Sequence, residues 1–390
     1  MFIRAGIYIG YVGHANLGDE AMWEACRKRF GQIHWSYYDQ LAYRMDAQKF
    51  LATSRRDGKY LIQWLGEELR HQRHIRTLAG SVVHRLASGL GGEVAILGGG
   101  TLINTNESDL QIYRSMWERT GRAVPVFGAG VKSPQFWSSR PGWEDRRREW
   151  VSILNQLPVV GVRGPISKRL LEEVGGRNIV ISGDPAAWYH KPLKGGRRSS
   201  RSRPQRRIGI NWGSPAGGMW GDEKAVEKAL ANVARELHRA GTEIEILPIC
   251  PQDVLSCRRI AELAGLAADC IHPVFASVKQ YVHATERLDL LVALKLHAAV
   301  LAAAGNLPFV MLEHQPKCLD FTASIGWERF TIRTDGLAEE SLMNMISEMM
   351  NELRGLEQEL CARMCSLWKG FADYCRTVEA WLMNTNYASL

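Results

Sequence analysis

No stretch of this chain approaches the ~18 consecutive apolar residues that a helix needs to cross a bilayer. Close cysteine pairs are nearly as scarce. The eight cysteines stand at 26, 250, 257, 270, 318, 361, 365 and 375, and only Cys361 and Cys365 are near neighbours. One CxxxC pair without a second makes a poor zinc site. Scattered thiols fit a reducing compartment, so neither a metal nor a disulfide framework is expected. The opening MFIRAGIYIG lacks a charged segment leading into a long apolar run and reads as a first strand rather than an export signal. The expected location is the cytoplasm. Acidic residues are missing from Lys191 to Arg207 (KPLKGGRRSSRSRPQRR), which carries eight basic ones. That number equals the net charge of the whole chain, +8. The remainder is formally neutral, which argues against nucleic acid as a partner.

What is present is an alternation of short apolar or β-branched runs with helical periodicity. In the first half the runs are FIRAGIYIG, IHWSYY, EVAILGGG, AVPVFGAG, PVVGVR and NIVISGD; in the second they are RIGINWG, EIEILPI, CIHPVF, LDLLVAL, PFVMLEH and FTIRT. Strands alternating with helices predict parallel sheets covered on both faces. The expected fold is therefore α/β, two doubly wound, Rossmann-like domains in a GT-B-like arrangement with a C-terminal helical segment. The pattern divides into a domain over 1–190, a basic linker or surface loop over 191–207, a second domain over 208–336, and helices over 337–390. The linker is too polar and self-repelling to pack. Its alternative use is as an arm for anionic lipid or a polyanionic acceptor, which would place the protein peripherally at the inner face of the membrane. Ligands of such sheets bind at the carboxyl ends of the strands, here in the cleft between the domains.

Five constellations fall at strand ends. Gly10 to Ala21 (GYVGHANLGDEA) runs from a strand into a helix start, which favours an anion. Its spacing is not GxGxxG and no Walker lysine follows, which weakens NAD and ATP readings. Asn16 and Gly18 lie in this loop, and Asp19 serves equally as a helix cap or a functional carboxylate. Gly98-Gly99-Gly100-Thr101 leaves backbone N–H groups unshielded for an anion or a sugar hydroxyl, or forms a tight turn. Arg163, just before Pro165 at a helix start, is placed to grip a carboxylate or phosphate with two hydrogen bonds, against the alternative of a surface salt bridge. Asp184, before Pro185, either orients a hydroxyl or locks a turn. Lys295 and His297 share one strand end, setting a cation beside a titratable group.

The order of these motifs, GYVGHANLGDEA, GGGT, VRGPIS, SGDPA and KLHA, followed by Glu313 to Phe321 (EHQPKCLDF), resembles the polysaccharide pyruvyl transferase family over residues ~6 to ~326. The resemblance implies a GT-B-like fold and transfer of a pyruvyl group from phosphoenolpyruvate to two hydroxyls of a sugar, forming a ketal with release of phosphate and needing no cofactor. It implies that Arg163 binds the donor and that His297 is the general acid. It also implies that position 295 is a second donor-binding cation, which is usually arginine in the family and here is lysine. A lysine keeps the charge and loses the bidentate fork. Leu296, Asn16, Gly18, Gly99, Gly100, Thr101 and Lys317 are the further substrate-binding candidates. A carboxylate should take the hydroxyl proton, and Asp19 and Asp184 both qualify. The acceptor is expected to be a sugar of a free, lipid-linked or polymeric glycan. The competing readings are a GT-B glycosyltransferase with a nucleotide-sugar donor and an inert glycan-binding homologue. Trp137, Trp143 and Trp150 are candidates to stack on a sugar, although with thirteen tryptophans in the chain a core or surface role serves them as well.

Overall fold

A computed structural model describes residues 4–13, 15–39, 92–136, 142–188, 205–215 and 217–383. Most of the basic segment 191–207, and Trp137, lie outside the described residues.

The first half opens with β1 (Arg4–Gly10), buried at every position, as expected of a central parallel strand covered on both faces. The chain then enters α1 (Leu17–Arg29). Its start is fixed chemically: Asn16 Oδ1 accepts from Gly18 N at 3.1 Å, and Glu20 Oε1 accepts from Gly13 N at 2.8 Å. Asp19 and Glu20 in the first turn and Arg27, Lys28 and Arg29 in the last complement the helix dipole. Further on come β2 (Ile33–Asp39), β3 (Glu93–Leu97), β4 (Gly100–Ile103), α2 (Glu107–Thr120), β5 (Phe127–Val131), α3 (Trp143–Leu154), β6 (Val160–Val162), α4 (Pro165–Glu172) and β7 (Ile179–Ile181). These strands form two parallel sheets, ordered β2-β1-β3 and β4-β5-β6-β7. A single bridge between Leu97 and Val126 joins them. The break lies at Gly98-Gly99, where the chain leaves its pairing with β1 and takes up pairing with β5.

The second half holds β8 (Arg207–Asn211), α5 (Glu223–Arg239), β9 (Glu243–Ile246), α6 (Val254–Ala264), α7 (Val278–Thr285), β10 (Leu290–Ala293), α8 (Leu296–Ala304), β11 (Phe309–Glu313), α9 (Pro316–Ser324) and β12 (Thr331–Arg333). They build one parallel sheet, ordered β12-β11-β10-β8-β9. The run CIHPVF is not a strand. It makes one bridge, Ile246 to Ile271, and stops at Pro273, which has no N–H with which to continue a ladder. The order reverses between β8 and β10, the switch point at which such sheets open a crevice.

Two helices close the described chain, α10 (Glu339–Asn351) and α11 (Leu353–Met383). Leu356, Leu360, Met364 and Leu367 of α11 belong to the core of the second half, whereas Phe371, Tyr374, Val378 and Leu382 pack into that of the first. Leu17, Ala21 and Met22 of α1 join the second half's core in turn, so the halves share apolar surface beneath the cleft. Among the described residues no helix is long and apolar enough to cross a membrane.

Candidate active site

The carboxyl ends of both sets of strands enclose a cavity of about 480 Å³, within the range typical of small-molecule sites. The first half contributes Asn16 and Asp19 from the start of α1, Gly100 and Thr101 from β4, and Arg163 from the end of β6. The second contributes Lys295, Leu296 and His297 from the end of β10, and Lys317 from the start of α9.

A buried charge cluster underlies the cavity. Arg163 is 1% exposed and Asp184 fully buried; Arg163 Nε donates to Asp184 Oδ2 at 2.9 Å. Arg163 Nη1 has no hydrogen-bond partner among the described residues, and Gly130 lacks the Cβ that would stand 2.5 Å from it. A buried guanidinium with an unused donor at a cavity wall is suited to an anion. Asp184 Oδ1 accepts from Ala186 N at 3.0 Å, and His297 Nε2 stands 3.6 Å from Asp184 Oδ2, too far for a hydrogen bond. Burial works to raise the carboxyl pKa of Asp184, but His297, Arg163 and the Ala186 N–H outweigh it and hold it down to about 2. It remains a carboxylate that holds Arg163 by a hydrogen bond and faces the imidazole.

Asp19 differs. Burial pushes its pKa up to about 6, with Glu20 and Asp184 adding and His297 and Lys317 opposing. Unlike Asp184 it lines the cavity. Gly18 beside it is indispensable for geometry, since a Cβ there would lie 1.8 Å from His297 Nδ1. The α1 backbone thus packs directly on the imidazole.

Two lysines stand opposite Arg163. Lys295 Nζ donates to Ser214 O at 2.7 Å and lies 3.4 Å from Oδ1 of the fully buried Asp253, so its charge is partly engaged by protein. Its backbone N–H donates to Asn211 Oδ1 at 3.0 Å. Burial lowers the Lys317 pKa to about 8, and the Lys295 and Arg163 charges push the same way. His314, also on the wall, is held well below the usual imidazole range by burial, with Lys317 and Lys295 adding, and is therefore neutral.

The structure brings together Asn16, Asp19, Gly100, Thr101, Arg163, Lys295, Leu296, His297 and Lys317 around one cavity, with Asp184 and Gly18 directly behind it. Gly99 is set apart. Its N–H donates to the Tyr8 hydroxyl oxygen at 3.3 Å, and a Cβ there would meet Met22 Sδ at 1.9 Å, so this glycine serves close packing. Trp143 and Trp150 are buried in the core of the first half and do not line the cavity. Sequence reading passes over Tyr11, Asn104, Asn106, Lys132, Ser133 and Gln315, which also line the cavity. Lys132 and Ser133 follow directly on β5, so the strand-end rule that finds Arg163 is also the signal for them.

Paired Rossmann-like halves with a cation-rich, histidine-bearing pocket in their cleft define a GT-B-like build. Among solved structures the chain is similar to a putative UDP-N-acetylglucosamine 2-epimerase from Listeria monocytogenes, with a TM-score of 0.55 and 10% identity over 100% of this chain and 99% of that one. It is likewise similar to S. aureus MnaA with UDP, with a TM-score of 0.54 and 13% identity over 99% and 98%. At such identities these likenesses establish the fold. No curated protein matches the chain in sequence. The sequence profile of the polysaccharide pyruvyl transferases matches residues 16–316, and the chain belongs to that family.

Proposed function

We propose that this protein transfers the pyruvyl group of phosphoenolpyruvate to two hydroxyls of a sugar in a glycan or glycan precursor, forming a ketal and releasing phosphate. The observation that carries the reading is the buried Arg163, with an unpartnered Nη1, facing Lys317 and Lys295 across one cavity that also holds His297. A donor with a carboxylate and a phosphate needs at least two cations, and guanidinium and ammonium groups from opposite walls supply them.

His297 donates a proton to the methylene carbon, which leaves an oxocarbenium-like C2. An acceptor hydroxyl attacks C2 while Asp19 takes its proton. Asp19 is favoured over Asp184 because it reaches the cavity and its raised pKa makes it the better base. Asp184 is enclosed, engaged by Arg163, and faces the imidazole. In the second step the C2–O bond to phosphate breaks as the other hydroxyl closes the ketal. Its proton passes to His297, and the proton on Asp19 leaves with the phosphate. Lys295 helps hold the donor from the mouth of β10 while remaining tethered to Asp253 and Ser214. The reaction is expected in the cytoplasm, with the acceptor presented free or on a lipid.

The test is phosphate release from phosphoenolpyruvate by purified protein across a panel of galactosides, mannosides and N-acetylhexosamines, with UDP-sugars as a parallel donor arm. Release should require an acceptor and fall at least ~10²-fold in His297→Ala, within the range for loss of a general acid. Turnover of a UDP-sugar with none of phosphoenolpyruvate would replace this reading by glycosyl transfer.

A further inference from the structure

Asp320 stands in α9 of the second half, yet its side chain serves the first. Its Oδ1 accepts from Ile166 N at 2.9 Å and Ser167 N at 3.0 Å, and its Oδ2 accepts from Ser167 Oγ at 2.6 Å. These are the first-turn donors of α4, which would otherwise have no intrahelical partner. The carboxylate is 2% exposed. The approach is close to backbone on backbone, because a Cβ at Gly164 would stand 1.9 Å from Asp320 O. Ser167 carries the connection further, its Oγ accepting from Val131 N at 2.9 Å at the end of β5.

We propose that Asp320 is a positioning residue that fixes the separation of Arg163 and Lys317, so that one donor molecule can bridge them. Arg163 immediately precedes Gly164 and the α4 terminus that Asp320 holds. Lys317 lies three residues before Asp320, on the neighbouring position of the same helix face. The path from guanidinium to ammonium therefore runs through two first turns and three hydrogen bonds, with no flexible segment between. A buried carboxylate is a costly way to join two apolar halves, and well-packed side chains of similar volume often hold such contacts as well or better. Its location between the two cations gives that cost a use. The anion-binding end of α4 is filled by protein, which leaves the donor's charges to the side chains.

This inference rests on phosphoenolpyruvate as the donor, and calorimetric binding to the full-length protein separates the two. A ligand that bridges both cations is sensitive to their spacing, whereas inorganic phosphate is not. In Asp320→Ala, phosphoenolpyruvate should bind at least ~10-fold more weakly and inorganic phosphate within ~2-fold of wild type. Asp320→Asn, whose amide oxygen still accepts from both N–H groups, should restore most of the donor affinity. Ser167→Ala should show the same split by a smaller factor, ~3-fold, and it serves if Asp320→Ala does not fold. Leu342→Ala in α10, a core truncation remote from the cavity, should lower the melting temperature and leave donor affinity alone. Equal weakening of both ligands, or donor affinity unchanged in Asp320→Ala and Ser167→Ala, would overturn the clamp while leaving the donor in place. Wild-type protein that binds no phosphoenolpyruvate would overturn both.

Discussion

Two aspartates that both act on one histidine carry opposite chemistry because burial raises both and only Asp184 has partners strong enough to outweigh it. Asp184 is enclosed with Arg163 and held at about 2, whereas Asp19 reaches the cavity and is pushed up to about 6. Lys317, across from them, is lowered to about 8. If Asp19 must be ionised to accept a proton and Lys317 protonated to hold the donor, kcat/KM for phosphoenolpyruvate rises through about pH 6 and falls beyond about pH 8. Asp19→Asn should remove the acid limb together with most of the rate, ~10²-fold or more. Lys317→Arg should carry the alkaline limb upward. An alkaline limb unmoved in Lys317→Arg would assign it to another group. Sequence reading names both aspartates without ranking them, since their difference lies in which elements cover them. The same holds for Asp320, a buried carboxylate without any local motif, whose partners Ile166 and Ser167 stand on an element far off in the chain. Asp253 closes a local capping box with Ile249 N and Cys250 N, but its approach to Lys295 comes from another element.

At the scale of elements, periodicity and strand-end motifs deliver every strand but β4, which hides behind the glycine run, and most of the cavity wall, because parallel strands place their loops at one edge. Two elements depart. CIHPVF has the composition of a strand, and its apolar residues mask the punctuation that Pro273 supplies; in the fold this proline ends the pairing after one bridge. The glycine run after β3 reads as a ligand loop, yet Gly98 and Gly99 are packed against Tyr8 and Met22, and Gly100 alone of the three reaches the cavity. Gly18 shows the reverse: an element feature with a functional consequence. An alanine in the first turn of α1 would favour the isolated helix by up to ~1 kcal/mol. Here its Cβ would stand 1.8 Å from His297 Nδ1. Gly18→Ala should therefore retain a cooperative melt while losing ~10²-fold in turnover, the scale expected for a misplacement of about 1 Å in a reacting group. Turnover near wild type would mean that the imidazole has room to move without cost.

For the whole molecule the decisive element is α11, whose sequence reads only as a long amphipathic helix. Its first turns pack on the second half and its last turns on the first, where Tyr374 Oη donates to Val126 O, Trp381 Nε1 donates to Ala123 O at 3.1 Å and Arg4 Nη1 donates to Leu382 O at 2.8 Å. A helix that ends far from where it starts belongs to neither half, and no local pattern announces such a crossing. Ending the chain after Gly370 would strip Phe371, Tyr374, Val378 and Leu382 from the first half's core. Each is worth ~1.5–3 kcal/mol of burial, so together they rival the ~5–15 kcal/mol by which a domain is stable. The truncated chain should show a melt in which the second half unfolds cooperatively and the first is already lost, and phosphoenolpyruvate binding should vanish with Arg163 and Asp19. A single wild-type-like transition with donor binding intact would show instead that the shared core beneath the cleft, with Leu17 and Met22 of α1 set into the second half, suffices to hold the two halves in register.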